Sequence, residues 1–535
     1  MAAEKVLKRL IKGGKTMAKY LIGLDSGTTG LRSKIYDLSG NVIAQGYREY
    51  DCVYYKPGWI DQDINMMVEA MYDSLAEVVA KGKKAGVDPN EIASIGLSTQ
   101  RILHMYVDQD GNVMRNGMGI SWQDSRCEAE AKWMSEFGDE YTQITGLPVG
   151  TAWGSGKVKW VLNNERETYE RASKILTTQE YFLYKLGARD GWFQDWSNAS
   201  YFGLLDVQTM EFSDPLLKRF GISKDKLPSL VGSGWQVGTI DKYASERTGL
   251  PVGMPVCTGG GDQQCAGIGA GVIREGLCEV TFGTSGVSLA ALDTPKHDPN
   301  KKVSLSAAAF PEKAWESEGL QMAAASSYRW FRDTVGQVCK MIEPITQTSP
   351  YQILDRHAEK APVGSNGVIF QPYLAGSNCP NYDGTARGAF LGLSFKSDFA
   401  SLARSVLEGV TLEARSVLEA FYSFIDIDEI ILSGGATNSK LWCQIQADVY
   451  NRPATMLREG ECTVMGAAIL GGVGAGVFKS VQEGVDTMVK KVSTYEPNPK
   501  TVPQYNELYD LFKTAYSSLA QGDFYQKLNN FTENN

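Results

Sequence analysis

The sequence predicts an α/β fold built from two domains of similar topology, because one strand–turn–strand pattern occurs in each half of the chain. The first copy comprises YLIGLD (20–25), the turn SGTTG (26–30) and LRSKIYD (31–37). The second copy, EVTFGTSGVSLAALD (279–293), again places a Gly-Thr turn between two apolar, β-rich runs. A match in the same context near the start of each half indicates an internal duplication.

A second pair of segments supports the duplication. The buried strands EIASIGLSTQ (91–100) and DEIILSGGATN (428–438) each follow a segment, 65–86 or 399–424, whose apolar residues recur at helical spacing. The glycine-dense stretch 259–272 is unlike a continuous helix, and we predict a hinge there. The expected units are a basic N-terminal extension at 1–16, an N-terminal domain at 17–268, a C-terminal domain at 269–500 and a helical tail at 501–535.

Composition excludes several classes of protein. The 535 residues carry a net charge of −9, which argues against nucleic-acid binding, and they contain no long uncharged apolar run that would span a membrane. Nine scattered cysteines without a CxxC pair, and three histidines, fit neither a disulfide framework nor a zinc site. We therefore expect a cytoplasmic protein.

Turns rich in glycine and threonine are suited to phosphate binding. Glycine lets backbone N–H groups point inward as an anion nest, and hydroxyl groups add donors without bulk. The chain has one such turn in each half and a third glycine cluster, SGGA, at 433–436. This arrangement indicates a nucleotide whose phosphates are held from both halves; for either turn alone, a tight hairpin is the alternative.

Two aspartates stand beside these turns. Asp25 ends the first strand, and a carboxylate next to bound phosphates implies an intervening cation, for which we expect Mg²⁺. Asp262 follows three glycines in GGGDQQ, where a carboxylate is suited to accept a proton from a substrate hydroxyl. The alternative for Asp262 is a helix N-cap.

Several segments, in order, resemble the FGGY family of carbohydrate kinases, whose two duplicated ribonuclease H-like domains are those of the actin and hexokinase ATPases and enclose a cleft. The segments are GLDSGTTGLRSKIYDLSGNVI (23–43), PGWIDQD (57–63), WQDSR (122–126), KVKWVLNN (157–164), TGGGDQQCAGIGAG (258–271), GTSG (283–286), GAFLGLSFKSDFASLARSVLE (388–408) and SGGATN (433–438). The resemblance implies an ATP-dependent sugar kinase with ATP and Mg²⁺ as cofactors, Asp262 as general base, and Asp25 with Asp262 near the metal through water. The implied ATP-binding residues are Gly27, Thr28, Thr29, Arg32, Gly283, Thr284, Ser285, Gly434, Gly435, Ala436 and Asn438.

The sequence specifies less clearly which sugar or polyol accepts the phosphoryl group. Residues that offer directional hydrogen bonds, or an indole that covers a C–H face, form the expected pocket: Gln100, Arg101, Trp122, Asp124, Asp262 and Gln263. STQR (98–101) resembles the glycerol kinases, but Ile102 replaces their glutamate, whereas NYDGTARGAFLGL (381–393) resembles the xylulokinases. We expect a ketopentose such as xylulose or ribulose; a polyol such as glycerol or erythritol, or an autoinducer-2-type substrate, is the alternative.

A competing class is a conformational ATPase, which would share the two-domain ATP clamp but act on no sugar. Such a clamp has no need of the separate sugar-contact residues at 100–126, and this favours a kinase. The expected partners are a small sugar or polyol, with no nucleic acid and no membrane. The sequence leaves the oligomeric state open, with a homodimer as one possibility.

Overall fold

The first half of the chain contains a six-stranded mixed sheet. The computed structural model describes residues 18–533, and the extension predicted at 1–16 lies outside them. In spatial order the strands are Gln236–Thr239, Pro255–Gly261, Ile92–Thr99, Tyr20–Ser26, Gly30–Asp37 and Val42–Glu49. The three central strands from Pro255–Gly261 to Tyr20–Ser26 run parallel, and antiparallel strands flank them.

The second half contains a seven-stranded sheet of the same design. Its strands, in spatial order, are Lys491–Tyr495, Ala454–Leu457, Glu429–Gly434, Leu277–Phe282, Gly286–Leu292, Trp315–Gln321 and Ser304–Ala307. Again three central strands are parallel, and the strand after the Gly-Thr turn pairs antiparallel with the strand before it. The prediction of duplicated α/β domains is therefore confirmed.

The first half also carries a smaller five-stranded sheet, whose strands are Cys52–Lys56, Trp59–Asp63, Met118–Ile120, His104–Val107 and Lys174–Thr177. Two-stranded ribbons pair Phe193–Asp195 with Ser229–Val231, Leu205–Asp206 with Glu211–Phe212, and Ile369–Gln371 with Ala389–Leu391. The helices of the first half are Ile64–Lys84, Glu128–Met134, Gly138–Thr145, Gly154–Asn164, Arg166–Arg171, Thr178–Leu186, Trp196–Phe202, Asp214–Phe220, Lys242–Thr248 and Asp262–Ala270.

Those of the second half are Ala325–Asp333, Gln337–Thr346, Pro350–Ala358, Phe399–Tyr422, Lys440–Tyr450, Cys462–Gly474, Val481–Met488, Val502–Ala520 and Phe524–Glu533. The last two lie within 501–535, where the sequence predicts a helical tail. No helix within residues 18–533 is long and apolar enough to cross a membrane.

The two long helices foreseen from periodicity begin at aspartate caps. Asp63 accepts a hydrogen bond from the N–H of Met66 (3.0 Å), and Asp398 accepts one from the N–H of Ser401 (2.8 Å). These bonds satisfy N–H groups that the first helical turn leaves unpaired. Each helix then buries its apolar residues against the sheet of its own half.

The hinge predicted at 259–272 stays a prediction. The expectation that this stretch is not a continuous helix is wrong, because a strand ends at Gly261 and a helix runs over Asp262–Ala270. Its glycines permit close helix packing instead of a flexible loop. A Cβ atom on Gly269 would lie 1.9 Å from the Cys462 carbonyl oxygen, and one on Gly466 would lie 1.9 Å from the Cys265 carbonyl oxygen. The equivalent helices of the two halves, Asp262–Ala270 and Cys462–Gly474, thus meet backbone to backbone.

Candidate active site

Three neighbouring parallel strands of the first half end at the same edge of the sheet. Ser26, Thr99 and Gly261 are their last residues, and both outer residues are in register with Thr99. The Gly-Thr turn, the pair Gln100-Arg101 and Asp262 follow immediately. Ligands of α/β sheets bind beyond the carboxyl ends of such strands, so the topology gathers these groups at one place.

Asp262 is the first residue of its helix, and Gly261 occupies the N-cap position. Its Oδ1 atom accepts a hydrogen bond from the N–H of Gln263 (2.9 Å) and lies 3.2 Å from the Arg101 Nε atom. The side chain stays 28% exposed, so a ligand can reach it. Burial raises the pKa of Asp262, and the charge of Arg101 opposes that rise. The carboxylate is therefore accessible, and the N-cap position belongs to Gly261.

Asp25 and Asp262 are close enough to interact electrostatically. Asp25 accepts a hydrogen bond from the Ser98 hydroxyl (2.8 Å), and burial, reinforced by the charge of Asp262, raises its pKa to about 7. A cation between two such carboxylates would relieve their repulsion. Within residues 18–533 no group of three metal-binding side chains occurs, but Mg²⁺ is commonly held by one or two carboxylates with water and phosphate oxygens. The oxygen donors here fit that ion.

Arg101 is anchored by the second half of the chain. Its Nη1 and Nη2 atoms donate to the two Glu318 oxygens (2.7 and 3.0 Å), and its guanidinium lies 3.8 Å from the centre of the Tyr201 ring. A bidentate pair of this kind fixes both the position and the orientation of the guanidinium. Sequence reasoning missed Glu318; the available signal was WESEGLQ, a strand with acidic residues at alternate, buried positions.

Gln100 and Trp122, which were expected to contact sugar, lie around the Gly-Thr turn of the first half. Buried Gln100 donates to the Gly27 carbonyl (3.1 Å) and to the side chain of Gln62 (3.0 Å). The indole of Trp122 donates to the Thr28 hydroxyl (3.0 Å). Both side chains therefore hold the turn.

The structure places Asp124 in a buried ion pair. Its carboxylate accepts from Arg126 Nε (2.9 Å) and from the N–H of Ile60 (2.6 Å). This set of partners makes Asp124 a support for the loop, whereas Gln263 is half-buried and follows Asp262 in the chain. Arg101, Asp262 and Gln263 are thus the members of the expected pocket that come together.

The glycine-rich loops of the second half also lie side by side. Leu277–Phe282 and Glu429–Gly434 are adjacent parallel strands, with Phe282 in register with Gly434. Gly434 has a φ of +77°, and a Cβ there would lie 2.6 Å from the Phe282 carbonyl oxygen, so only glycine fits. Gly435, Ala436 and Asn438 follow in a 3₁₀ turn, Gly435–Asn438.

The GTSG turn is braced from behind. The carbonyl of Gly283 accepts from the N–H of Ala325 (2.9 Å), and that of Thr284 accepts from the N–H of Ala324 (3.1 Å) and the Ser326 hydroxyl (2.5 Å). Ser285 closes the turn by accepting from the N–H of Gly283 (3.0 Å). With these carbonyl groups bonded to protein, the turn has a fixed backbone shape.

Two further residues expected at ATP join different parts of the chain. Arg32 forms an ion pair with Glu461 of the second half, and its guanidinium lies 5.2 Å from the centre of the Tyr47 ring. The carbonyl of Thr29 accepts from the N–H of Tyr50 (3.2 Å). Arg32 is therefore located where the two halves meet.

The duplicated strands carry different residues at the position of Asp25. Asp25 pairs in register with Ser98, and the equivalent pair in the second half is Thr281 with Ser433, whose hydroxyl oxygens are 2.6 Å apart. A hydroxyl thus replaces Asp25 in the second half. Glu279 precedes Thr281 by two residues on the same strand and accepts hydrogen bonds from the Thr281 and Ser433 hydroxyls. Burial raises the pKa of Glu279 to about 7.

Family models match both halves of the chain. The N-terminal domain of the FGGY family of carbohydrate kinases matches residues 20–269, and the C-terminal domain of that family matches residues 278–475. A glycerol kinase of Thermococcus gammatolerans is 30% identical over 487 residues, which cover 90% of this chain and 94% of the relative. This chain belongs to the FGGY family of carbohydrate kinases.

Relatives of this FGGY kinase differ in the substrates for which they are named. The xylulose kinase of Bacillus subtilis is 28% identical over 501 residues, covering 93% of this chain and 97% of the relative. Other relatives are called autoinducer-2 kinase and gluconate kinase. A ligand-bound xylulose kinase from Lactobacillus acidophilus superimposes with a TM-score of 0.86 at 24% identity, covering 95% of this chain and all of that one; this supports the fold. The protein is an ATP-dependent carbohydrate phosphotransferase.

Proposed function

We propose that this FGGY kinase phosphorylates a hydroxyl of a ketopentose such as xylulose or ribulose, with Asp262 as general base. The observation that carries the proposal is the reachable Asp262 carboxylate, held 3.2 Å from an Arg101 that Glu318 fixes in place. In the reaction, the acceptor oxygen forms a bond to the γ-phosphorus while ADP leaves. Asp262 accepts the hydroxyl proton, and Arg101 donates hydrogen bonds to the acceptor.

The nucleotide is assigned to the Gly-Thr turns. We propose that Thr28 and Thr284 donate their hydroxyl hydrogens to phosphate oxygens, while the loop at Gly434 borders the adenosine. Trp122 already donates to the Thr28 oxygen, so the proton of that hydroxyl is directed to another acceptor. Magnesium bound near Asp25 and Asp262 would neutralise charge on the phosphates.

Ile102 supports a ketopentose over glycerol. The side chain of Ile102 is buried among apolar residues, so the acid beside Arg101 is Glu318 from the second half and not its own chain neighbour. The acceptor contacts therefore differ from the Gln-Arg-Glu pattern of the glycerol kinases that STQR otherwise resembles. Both xylulose kinases and glycerol kinases occur among the relatives, and the xylulose kinase that is 28% identical over 501 residues supports the ketopentose.

A coupled ADP-release assay on a panel of acceptors tests the substrate. The panel contains D-xylulose, D- and L-ribulose, glycerol, erythritol, gluconate and the autoinducer-2 precursor. We expect the highest kcat/KM with a ketopentose; a higher value with glycerol or gluconate would overturn that assignment while leaving the kinase intact.

Domain closure distinguishes a kinase from a conformational ATPase. We propose that the units 17–268 and 269–500 approach one another when the acceptor binds, because Asp262 belongs to one unit and the Thr284 turn to the other. An enzyme that completes its site only in the presence of acceptor avoids hydrolysing ATP with water. Small-angle scattering should show a smaller radius of gyration when the acceptor is bound. The rate of ATP hydrolysis without acceptor should be a small fraction of the rate of ATP use with acceptor. If ATP is hydrolysed equally fast with and without acceptor, and the radius of gyration does not change, the conformational ATPase is favoured.

A further inference from the structure

Tyr382 has an unusual backbone and an exposed ring. Its φ is +51°, in the left-handed region that bulky residues rarely adopt, and the residue is 47% exposed. Strain of this kind persists only where surrounding contacts enforce it, and it is concentrated at ligand sites. The roles assigned above to nucleotide, base and acceptor do not use this residue.

Hydrogen bonds place Tyr382 next to the strand that carries Glu318. Its hydroxyl donates to the Lys302 carbonyl (2.8 Å), and its N–H donates to the Asn378 carbonyl (2.6 Å). The neighbouring Cys379 N–H donates to the carbonyl of Leu320 (3.1 Å), which lies two residues beyond Glu318. The segment 377–386 therefore packs on this strand.

Hydrogen bonds continue from the strands beside this segment to the residues around Arg101. Ser304, two residues after Lys302, lies opposite Glu318 in the sheet, and its hydroxyl is 3.2 Å from the Tyr201 hydroxyl. The Tyr201 ring is the face on which Arg101 rests. Tyr201 and Glu318 are both close enough to Tyr382 to influence its hydroxyl electrostatically. The exposed ring consequently stands at the border of the proposed acceptor pocket.

The helical tail holds this segment from outside. Asp383 accepts from the N–H and the hydroxyl of Thr385 (2.9 and 2.5 Å), and its other oxygen accepts from the Tyr516 hydroxyl (3.1 Å). The side chain of Asn529 donates to the carbonyl of Thr385 (3.0 Å). Both tail helices thus brace the residues that immediately follow Tyr382.

We propose that Tyr382 is a specificity-determining residue for the acceptor, whose C–H face its ring covers, and that Tyr516 of the tail is its positioning residue. This inference rests on the proposed function, because it assumes an acceptor bound between Arg101 and Asp262. A ring already fixed by its backbone loses little conformational freedom on binding, and aromatic faces pack well on apolar ligand surfaces. Tyr382 comes from the second half and Asp262 from the first, so the acceptor would be enclosed by both.

Kinetics of two substitutions at this position test the role of the ring. With the best acceptor of the panel, Tyr382→Ala should raise the acceptor KM about 3- to 10-fold, the range for one aromatic packing contact, and leave the ATP KM within about 2-fold. Tyr382→Phe keeps the ring and should stay closer to wild type. Tyr55→Ala, which removes a tyrosine that is 55% exposed elsewhere on the first half, is the matched control and should change neither constant.

Tyr516→Phe tests the tail. Losing its hydrogen bond to Asp383 should raise the acceptor KM about 2- to 5-fold and alter the ranking of ketopentoses against polyols, with an unchanged ATP KM. A purely structural role would lower the melting temperature without this split between the two Michaelis constants.

The outcomes separate the two levels of the argument. A wild-type enzyme that phosphorylates no sugar or polyol would refute the proposed function. A wild-type enzyme that is active, together with a Tyr382→Ala variant of normal acceptor KM and normal acceptor ranking, would refute only the role of Tyr382. Normal kinetics in Tyr516→Phe alone would remove the tail from the proposal.

Discussion

Replacing Asp262 by asparagine tests the proposed general base with little structural disturbance. Asparagine keeps an oxygen that can accept from the Gln263 N–H, and the helix keeps its Gly261 cap. The lost charge lies 3.2 Å from Arg101 Nε, which corresponds to an attraction of about 5 kcal/mol at an effective dielectric constant of 20. Arg101 retains its two hydrogen bonds to Glu318, and the repulsion between Asp25 and Asp262 disappears. These opposing effects should leave folding stability within about 1 kcal/mol of wild type.

The effect on catalysis should be far larger. Loss of a general base costs on the order of 10²–10⁴ in rate, or about 3–5 kcal/mol of activation free energy. We expect kcat to fall by that factor while calorimetric titration gives an ADP dissociation constant close to wild type. The assay is ADP release with saturating ATP and the best acceptor of the panel.

Asp241→Asn is the matched control for this substitution. Asp241 is a true N-cap, which accepts from the N–H of Ala244 (2.8 Å) on a helix of the first half. If Asp262 acted only as a helix-terminal residue, both variants would retain similar kcat values. An Asp262→Asn enzyme with more than about a tenth of the wild-type kcat would refute proton abstraction by this residue.

Three further changes have defined outcomes. Thr28→Val and Thr284→Val should each weaken ADP binding about 10-fold or more in calorimetry, because each removes a hydroxyl that we propose donates to phosphate. Normal ADP binding by either variant would show that its turn is a hairpin without a phosphate contact. Glu318→Gln should lower acceptor kcat/KM at least about 10-fold by freeing Arg101. Glu316→Gln should be nearly silent, because Glu316 does not bond Arg101 and glutamine keeps an oxygen that can accept from the Gln264 side chain; equal effects would contradict the role of the Arg101 pair. Burial lowers the pKa of Lys157 to about 7, so at this residue the unfolded chain binds more protons between pH 7 and 10. Its contribution to the free energy of unfolding should therefore rise with pH there, by at most about 1.4 kcal/mol per unit. Lys157→Met should lack that slope in urea unfolding, and identical slopes would show that Lys157 carries no such penalty.

Much of the fold was readable from local patterns. The Gly-Thr turns are short, their flanking strands have apolar residues with few polar interruptions, and the two long helices show clear three- and four-residue spacing. These features depend on residues close together in the chain, and the structure confirms the strands and helices that they predicted. Asp262 likewise stood out because three glycines precede it.

Other features required the tertiary structure. Glu318 lies 217 positions from Arg101, and the partner of Tyr382 at Lys302 is 80 positions away, so no local period could have revealed either contact. Asp124 was expected at the sugar because its residue type suits hydroxyl groups, but Arg126 and the backbone of Ile60 already occupy its oxygens. The glycines at 259–272 were wrongly expected to interrupt a helix, because in sequence a missing side chain is typical of both a flexible loop and a close helix contact. By itself the sequence determined the duplicated strands, the Gly-Thr turns and the place of Asp262 after a glycine-rich strand end; the packing of distant segments decided which polar side chains remained free to meet a ligand.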